Sequence, residues 1–308
     1  MPGPRYFGIL LALVLLAGAA GCGRSAPARS ASGAAGARFT VIAAEDFWGS
    51  IAAQLAGDRA SVSSIVVNPA TDPHSYQPTA ADARAIAGAN MVIFNGVGYD
   101  NWAPQLLEAS PAEGRVVLDI GRSLGLGEGA NPHRWYYPAD VRAVIARILA
   151  GYERLDPADA AYFAARARRL QTVSLARYDS LRAEIRARYA GVAVGYSESI
   201  FQGLGEDLRL RLLTPPGFVR AIAEGTEVTA QEKETVDRQA LTHEIRVWIF
   251  NRQNVTPDVQ RVNQIAAAQH IPIATVTETL APASDTFEQW QASQLEGLLL
   301  ALRRAMGR

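Results

Sequence analysis

Apolar residues in this chain come in short runs that alternate with longer segments of helical spacing. The run from Phe39 to Ala44 predicts a strand, and Phe47 to Leu55 a helix. Val62 to Val67 is strand-like. Pro78 to Ala87 predicts a helix that starts with proline and continues in good helix formers. Met91 to Phe94 is an apolar run closed by Asn95-Gly96, Tyr99 to Ala109 is helical, and Val116 to Ile120 is another strand. Ala139 to Leu149 carries the spacing of an amphipathic helix. Strands alternating with helices predict a parallel α/β sheet.

From Pro157 to Tyr189 the chain has no glycine or further proline and is rich in Ala, Arg and Leu. That stretch predicts one long helix crossing between two lobes; a bent pair of surface helices is the alternative. The alternation then resumes: strands at Val192–Tyr196, Leu208–Leu213, Arg246–Phe250 and Ile273–Val276, with helices at Ile200–Leu204, Ala230–Thr242, Pro257–Ala267 and Phe287–Arg304. The expected fold class is α/β, with two lobes, each built on a mainly parallel sheet, joined by one long linking helix. The expected boundaries are 38–155 for the N-terminal lobe, 156–190 for the linking helix and 191–308 for the C-terminal lobe. No internal sequence repeat is evident.

The first segment changes the picture of where this protein works. Arg5 supplies a positive start, Phe7 to Leu16 is an apolar run too short to span a bilayer comfortably, and small residues lead to Cys22. This predicts a signal peptide over 1–21. Cys22 is the one cysteine in the chain, so an intramolecular disulfide and a cysteine-ligated zinc site are both excluded. Cys22 is either an incidental residue near an ordinary cleavage site or the acylated first residue of a mature lipoprotein. The small residues leading directly to it favour the second. Residues 22–37, rich in Ala, Ser and Gly, then read as a flexible tether. The expected location is extracytoplasmic, lipid-anchored to a bacterial cell membrane.

Lys+Arg and Asp+Glu balance at 30 each, which gives no electrostatic footprint for nucleic acid. There is no phosphate-binding loop, no G-x-S-x-G and no H-E-x-x-H. The candidate chemistry lies in a few histidines and glutamates. Of the 4 histidines, His74 in Thr71-Asp72-Pro73-His74 and His133 in Asn131-Pro132-His133 both sit in strand-to-helix loops behind a proline. Ligand sites of open α/β sheets lie at that carboxyl edge, and proline restricts the backbone ahead of each ring. Singly, each would be read as a packing or capping residue; two similar placements point to a shared ligand.

The second lobe offers Glu198 in Ser197-Glu198-Ser199 and Glu278 in Thr277-Glu278-Thr279, again at strand ends. Most glutamates are merely solvated, but these two occupy equivalent positions, and their flanking hydroxyls are placed to hydrogen-bond the carboxylates. Two imidazoles and two carboxylates facing across a cleft would make a mixed N/O site for one divalent ion, zinc or manganese, with iron also compatible. His243 and His270 are expected at surface positions. Glu45-Asp46 would line the cleft without a matching partner. Trp102, Trp135 and Trp248 are expected to pack.

These residues resemble those of the metal-specific, zinc- or manganese-serving solute-binding lipoproteins of bacterial ABC transporters. Asp72-Pro73-His74 with Tyr76-Gln77-Pro78 is similar to that family's first ligand loop, and Asn131-Pro132-His133 with Trp135 to its second. Ser197-Glu198 matches the third ligand position, where manganese-type members carry Glu and many zinc-type members His. Thr277-Glu278 matches the fourth, where Asp is usual and Glu is a departure. Phe94-Asn95-Gly96 before a helix is a further shared feature. The resemblance implies two α/β lobes joined by a long helix. It also implies a monomer that is not an enzyme and that delivers its ion to an ABC permease and its ATPase subunits. The long His- and acid-rich loop of many zinc importers is absent; Gly121 to Ala130 is short and has no histidine. A surface metallohydrolase and a metal-dependent adhesin are the competing functions. The first needs an open coordination position and a nearby base, the second an exposed adhesive surface.

Stable anchoring takes more than one acyl chain, which a diacyl- or triacyl-cysteine supplies. Cys22→Ala should therefore move the protein from the membrane to the soluble fraction. Persistent membrane association, or cleavage found elsewhere by mass spectrometry, would contradict the anchor.

Overall fold

The computed structural model describes residues 38–69, 71, 75–127 and 129–307. The signal segment, Cys22, the tether and His74 lie outside the described residues. Those described belong to one compact unit, Ala35–Arg308.

In the first lobe the chain runs β1 (Phe39–Glu45), α1 (Asp46–Ala56), β2 (Ala60–Val66), α2 (Ala80–Ala87), β3 (Met91–Phe94), α3 (Trp102–Ala109), β4 (Val116–Asp119), α4 (Ile120–Ser123) and α5 (Pro138–Leu155). The strands form a parallel sheet in the order β2-β1-β3-β4, with Val41 opposite Val62 on one side and Met91 on the other. β1 is an unbroken apolar run because both of its faces are covered. Val41 and Ala43 enter the large core shared with α1 and α5, while Ile42 and Ala44 pack with Ile86 of α2 and Trp102 of α3.

Three helix boundaries depart from the expected ones: α2 starts at Ala80 behind a Thr79 cap, so Pro78 lies outside it. α3 begins at Trp102 rather than Tyr99 because Asp100 folds back, its carboxylate accepting from the Asn95 and Gly96 amides at 2.5 and 2.8 Å. α5 continues past Leu149, through Gly151, to Leu155. Glycine weakens a helix in isolation, but here it allows close packing: a Cβ at Gly151 would come within 2.8 Å of Met91 Cε.

The helix expected over 156–190 is composite. After a 3-10 turn at Pro157–Asp159 come α6 (Ala160–Arg169), a π turn at Leu170–Ser174 and α7 (Ala176–Tyr189). Phe163, Ala167 and Leu170 are buried, as are Leu175, Tyr178, Leu181 and Ile185. Those spacings are three or four residues except between Leu170 and Leu175, where they are five. The π turn, with the Leu175 amide donating to Leu170 O at 3.0 Å, takes up the extra residue and keeps one face on the core. Val173 is left exposed.

The second lobe comprises β5 (Ala193–Tyr196), α8 (Gln202–Asp207), β6 (Arg211–Leu212), α9 (Pro216–Glu224), α10 (Ala230–Leu241), β7 (Val247–Asn251), α11 (Pro257–Ala268), β8 (Ile273–Val276) and α12 (Phe287–Ala305). Its parallel sheet has the order β6-β5-β7-β8. β6 is shorter than its apolar run suggested. α9 has no counterpart among the expected elements: Pro216 opens it, where its missing N–H costs nothing.

One continuous core joins strand residues of both sheets, such as Ile93 and Ile249, to α1, α5, α6, α7 and α12. α12 also ties the lobes through polar bonds: the Phe287 amide donates to Ser50 Oγ at 2.9 Å and Gln54 Nε2 to Glu288 Oε2 at 2.8 Å. Trp102, Trp135 and Trp248 are all buried. Among the described residues, no helix is long and apolar enough to cross a membrane.

Phe163 meets Phe39 and Tyr152 edge-on, at centroid distances of 6.1 and 5.3 Å. Phe163→Ala should cost about 3–5 kcal/mol in urea denaturation, the usual range for an aromatic-to-alanine cavity. Val173→Ala should be close to neutral. Similar losses in the two variants would contradict the packing register set by the π turn.

Candidate metal centre

Both sheets direct their carboxyl ends at the same buried seam. His133 follows β4 and α4 in the first lobe; Glu198 follows β5 and Glu278 follows β8 in the second. His133 Nε2 lies 3.7 Å from Glu198 Oε1 and 3.5 Å from Glu278 Oε2. One potential ligand atom from each of the three falls within 4.8 Å of the others, and all three residues are buried. Among the described residues no other group of three His, Cys, Asp or Glu side chains converges in this way.

The imidazole tautomer is fixed by its neighbour. Asn131 Oδ1 accepts from the His133 amide at 3.0 Å and lies 2.8 Å from His133 Nδ1, while Asn131 Nδ2 donates to Ser199 O at 2.7 Å. The amide orientation is thereby set, and its oxygen can only accept. Nδ1 therefore carries the hydrogen, and Nε2 presents its lone pair to the carboxylates. The loop is held in turn by Asn95, whose Nδ2 donates to Pro132 O at 2.9 Å and whose Oδ1 accepts from Trp48 Nε1 at 3.1 Å. The His133 ring meets Tyr99 and Trp135 edge-on, and Trp135 stacks on Phe47 at 3.9 Å.

The two carboxylates share one clamp. Asn251, at the end of β7 between the strands that carry them, donates from Nδ2 to Glu198 Oε2 at 3.1 Å and to Glu278 Oε1 at 2.7 Å. Tyr99 reaches across from the first lobe, its hydroxyl donating to Glu278 Oε2 at 3.0 Å.

The hydroxyls expected to support the carboxylates bond elsewhere. Ser197 Oγ accepts from the Asn251 amide at 3.0 Å, and Thr277 Oγ1 donates to Thr279 O at 2.9 Å. Thr279 Oγ1 accepts from Gln253 at 2.9 Å, and Ser199 Oγ lies 3.4 Å from His133 Nδ1. Sequence adjacency did not bring these hydroxyls onto the carboxylates: Ser199 opens a 3-10 turn, and Glu278 and Thr279 lie in a bend after β8. Tyr99, Asn251 and Gln253 were not singled out from the sequence. Neutral polar residues carry no motif, and the one available signal was their place at strand ends.

Burial governs the electrostatics. It holds His133 down to a pKa of about 4, against a smaller upward pull from Glu198. Burial, with the adjacent Glu278 charge, pushes Glu198 well above the usual carboxylate range. Burial and Glu278 likewise raise Tyr99, which stays a donor. Glu198 therefore takes up a proton before the imidazole does.

Glu45-Asp46 has the partner that the sequence did not suggest. Glu45 is buried, and burial together with the Asp100 charge raises its pKa. Asp46 accepts from the Leu280 amide of the second lobe at 3.2 Å, and burial lifts it to about 7. His243 and His270 are exposed residues with φ of 54° and 56°, just beyond α10 and α11. A groove of about 650 Å³ lined by Tyr99, Asn131, His133, Ser199 and Arg220 opens beside the centre.

Comparison with known proteins places this geometry. The iron-binding protein YfeA of Yersinia pestis is 31% identical over 129 residues, 40% of this chain and 41% of that protein. The manganese-binding lipoprotein MntA of Halalkalibacterium halodurans is 28% identical over 162 residues, 52% of each. The chain thus matches about half the length of these relatives or less. Among solved structures, the Mn-bound periplasmic metal-binding protein of Candidatus Liberibacter asiaticus superposes with a TM-score of 0.71, covering 86% of this chain and 99% of that one at 19% identity. That likeness is one of fold. The family model described as "ZnuA: Zinc-uptake complex component A periplasmic" matches residues 41–300, and the chain belongs to that family.

Proposed function

We propose that this protein is the extracytoplasmic substrate-binding component of an ABC importer, a monomer anchored by an acylated Cys22. It would take one divalent transition-metal ion between its lobes and deliver it to a membrane permease with ATPase subunits. The ligands in this reading are His133, Glu198, Glu278 and, from the loop between β2 and α2, His74. The observation that carries it is the convergence of a fixed imidazole lone pair with two buried carboxylates. Three electron-rich groups facing one another in a dry seam are stable together when a cation lies between them.

The ion is the substrate, zinc or manganese, with iron also accommodated. The family is named for zinc uptake, and the relatives are named for iron and manganese. Two imidazoles with two carboxylates form a harder set than three imidazoles with one, which favours manganese or iron. A family of uptake components lends no support to the hydrolase or adhesin alternatives.

Metal titration tests the reading. A ligand that binds only the folded state stabilises it by about 4 kcal/mol at a thousandfold excess over Kd. Zinc or manganese should raise the melting temperature with one ion per chain. His133→Ala and His74→Ala should remove most of that shift, while His243→Ala and His270→Ala should leave it intact. The reverse pattern would refute the ligand set.

The raised Glu198 predicts a stability signature in the metal-free protein. A carboxyl with a folded pKa above its unfolded value of 4.5 contributes stability at low pH that is lost as pH rises through the folded pKa. Glu198→Gln removes this buried titration. The metal-free variant should be about 1–3 kcal/mol more stable than the unmodified protein at pH 8. The gap should shrink towards pH 4.5, and added metal should no longer stabilise. Urea denaturation across that pH range checks this; a less stable variant at pH 8 would contradict it.

A further inference from the structure

We infer that Gln253 is a positioning residue that pins the segment ahead of α2 to the carboxylate side of the centre. The inference rests on the ligand set proposed above, because that segment carries His74 in the sequence. Gln253 lies two residues beyond Asn251 in the second lobe, yet its side chain reaches the first. Its Nε2 donates to Pro69 O at 2.7 Å and to Thr279 Oγ1 at 2.9 Å, with Thr71 O a longer third contact at 3.5 Å. Its Oε1 accepts from the Thr279 amide at 3.0 Å, which fixes the orientation of the side-chain amide. One side chain therefore joins the residue after Glu278 to backbone carbonyls three and five residues after β2.

The same residue is tied to the carboxylate clamp. The Gln253 amide donates to Asn251 Oδ1 at 3.0 Å, and Asn251 Nδ2 donates to both Glu198 and Glu278. The turn is held within its own lobe, the Arg252 amide donating to Val276 O at 3.0 Å and Asn254 Nδ2 to Ile222 O at 2.9 Å. A rigid turn thus presents two amides in opposite directions, one to the carboxylates and one to the His74-bearing segment. A His ligand contributes to retention only while the backbone that carries it is held in place. Gln253 supplies that hold from the opposite lobe, and its effect falls on release of the ion rather than on capture.

The test uses the full chain with zinc or manganese alone as probe. Dissociation is followed after addition of excess EDTA, and amide hydrogen exchange is followed in the metal-free protein. Gln253→Ala and Gln253→Glu should release metal about tenfold faster, the scale set by losing one to two hydrogen bonds. Association rates should be little changed. Glu retains the acceptor for the Thr279 amide but places an acceptor against Pro69 O, so it should not rescue. Exchange should quicken within residues 67–79 and stay unchanged in β1 and α12, and Arg252→Ala should behave like the unmodified protein. Unchanged release, or exchange that quickens uniformly across the molecule, overturns the positioning role, as does faster exchange without faster release. An unmodified protein that binds neither ion refutes the proposed function itself, and the exchange comparison then reports separately whether the pin exists.

Discussion

Two buried carboxylates held side by side by one amide are the constraint on which this structure turns. Asn251 Nδ2 donates to both Glu198 and Glu278, while the Nε2 lone pair of His133 faces them from the other lobe. Like charges out of water repel strongly and are costly to desolvate. Without a cation, burial and the adjacent Glu278 charge favour a retained proton on Glu198. The imidazole cannot relieve the repulsion near neutral pH, because burial keeps it uncharged down to about pH 4. Sequence reasoning from unperturbed groups would have placed proton competition at the histidine, near pH 6.5. In the folded protein it shifts to Glu198.

Such a site needs a scaffold whose stability comes from elsewhere. One apolar core runs through both lobes and the helices between them, and α12 packs against α7 and β8 while bonding to α1. The π turn in the connecting helix lets residues on both sides of it reach that core. Each glutamate sits just past the end of a strand anchored in this core, and His133 directly precedes a 3-10 turn whose Trp135 and Tyr136 are buried in it, so geometry is set by packing and the polar groups only refine it.

Much of this arrangement was legible in the sequence. Strands of these parallel sheets show as short, largely apolar runs, so β1, β3, β5 and β8 stood out. Histidines behind prolines and glutamates at strand ends marked the carboxyl edges, and the structure brings His133, Glu198 and Glu278 together there. The neutral residues that orient them were not legible: Tyr99, Asn251 and Gln253 acquire meaning only through contacts across more than twenty positions of chain. The hydroxyls beside the glutamates misled because adjacency in sequence was mistaken for adjacency of side chains. The five-residue step from Leu170 to Leu175 was present in the sequence, but a stretch without Gly or Pro whose apolar residues read as helical in spacing conceals one added residue. Pro215-Pro216 hid α9 because proline both ends and begins helices.

The cross-lobe bonds fall into two sets, and the difference bears on how a bound ion could leave. Bonds made by α12, at Ser50 and Gln54, lie on helices that also share the apolar core, so breaking them would mean separating packed surfaces. Bonds around the carboxylates include Tyr99 to Glu278, Asn131 to Ser199 and Gln253 to Pro69. Net values for hydrogen bonds of this kind are about 1 kcal/mol each, somewhat more where a carboxylate accepts. A large swing of one lobe would oppose the first set; a local rearrangement of site loops opposes only the second. In the proposed role, release would therefore proceed by loosening the loops around the ion while the helical side of the molecule stays closed. A permease that engages those loops could favour that state at an energetic cost of a few hydrogen bonds.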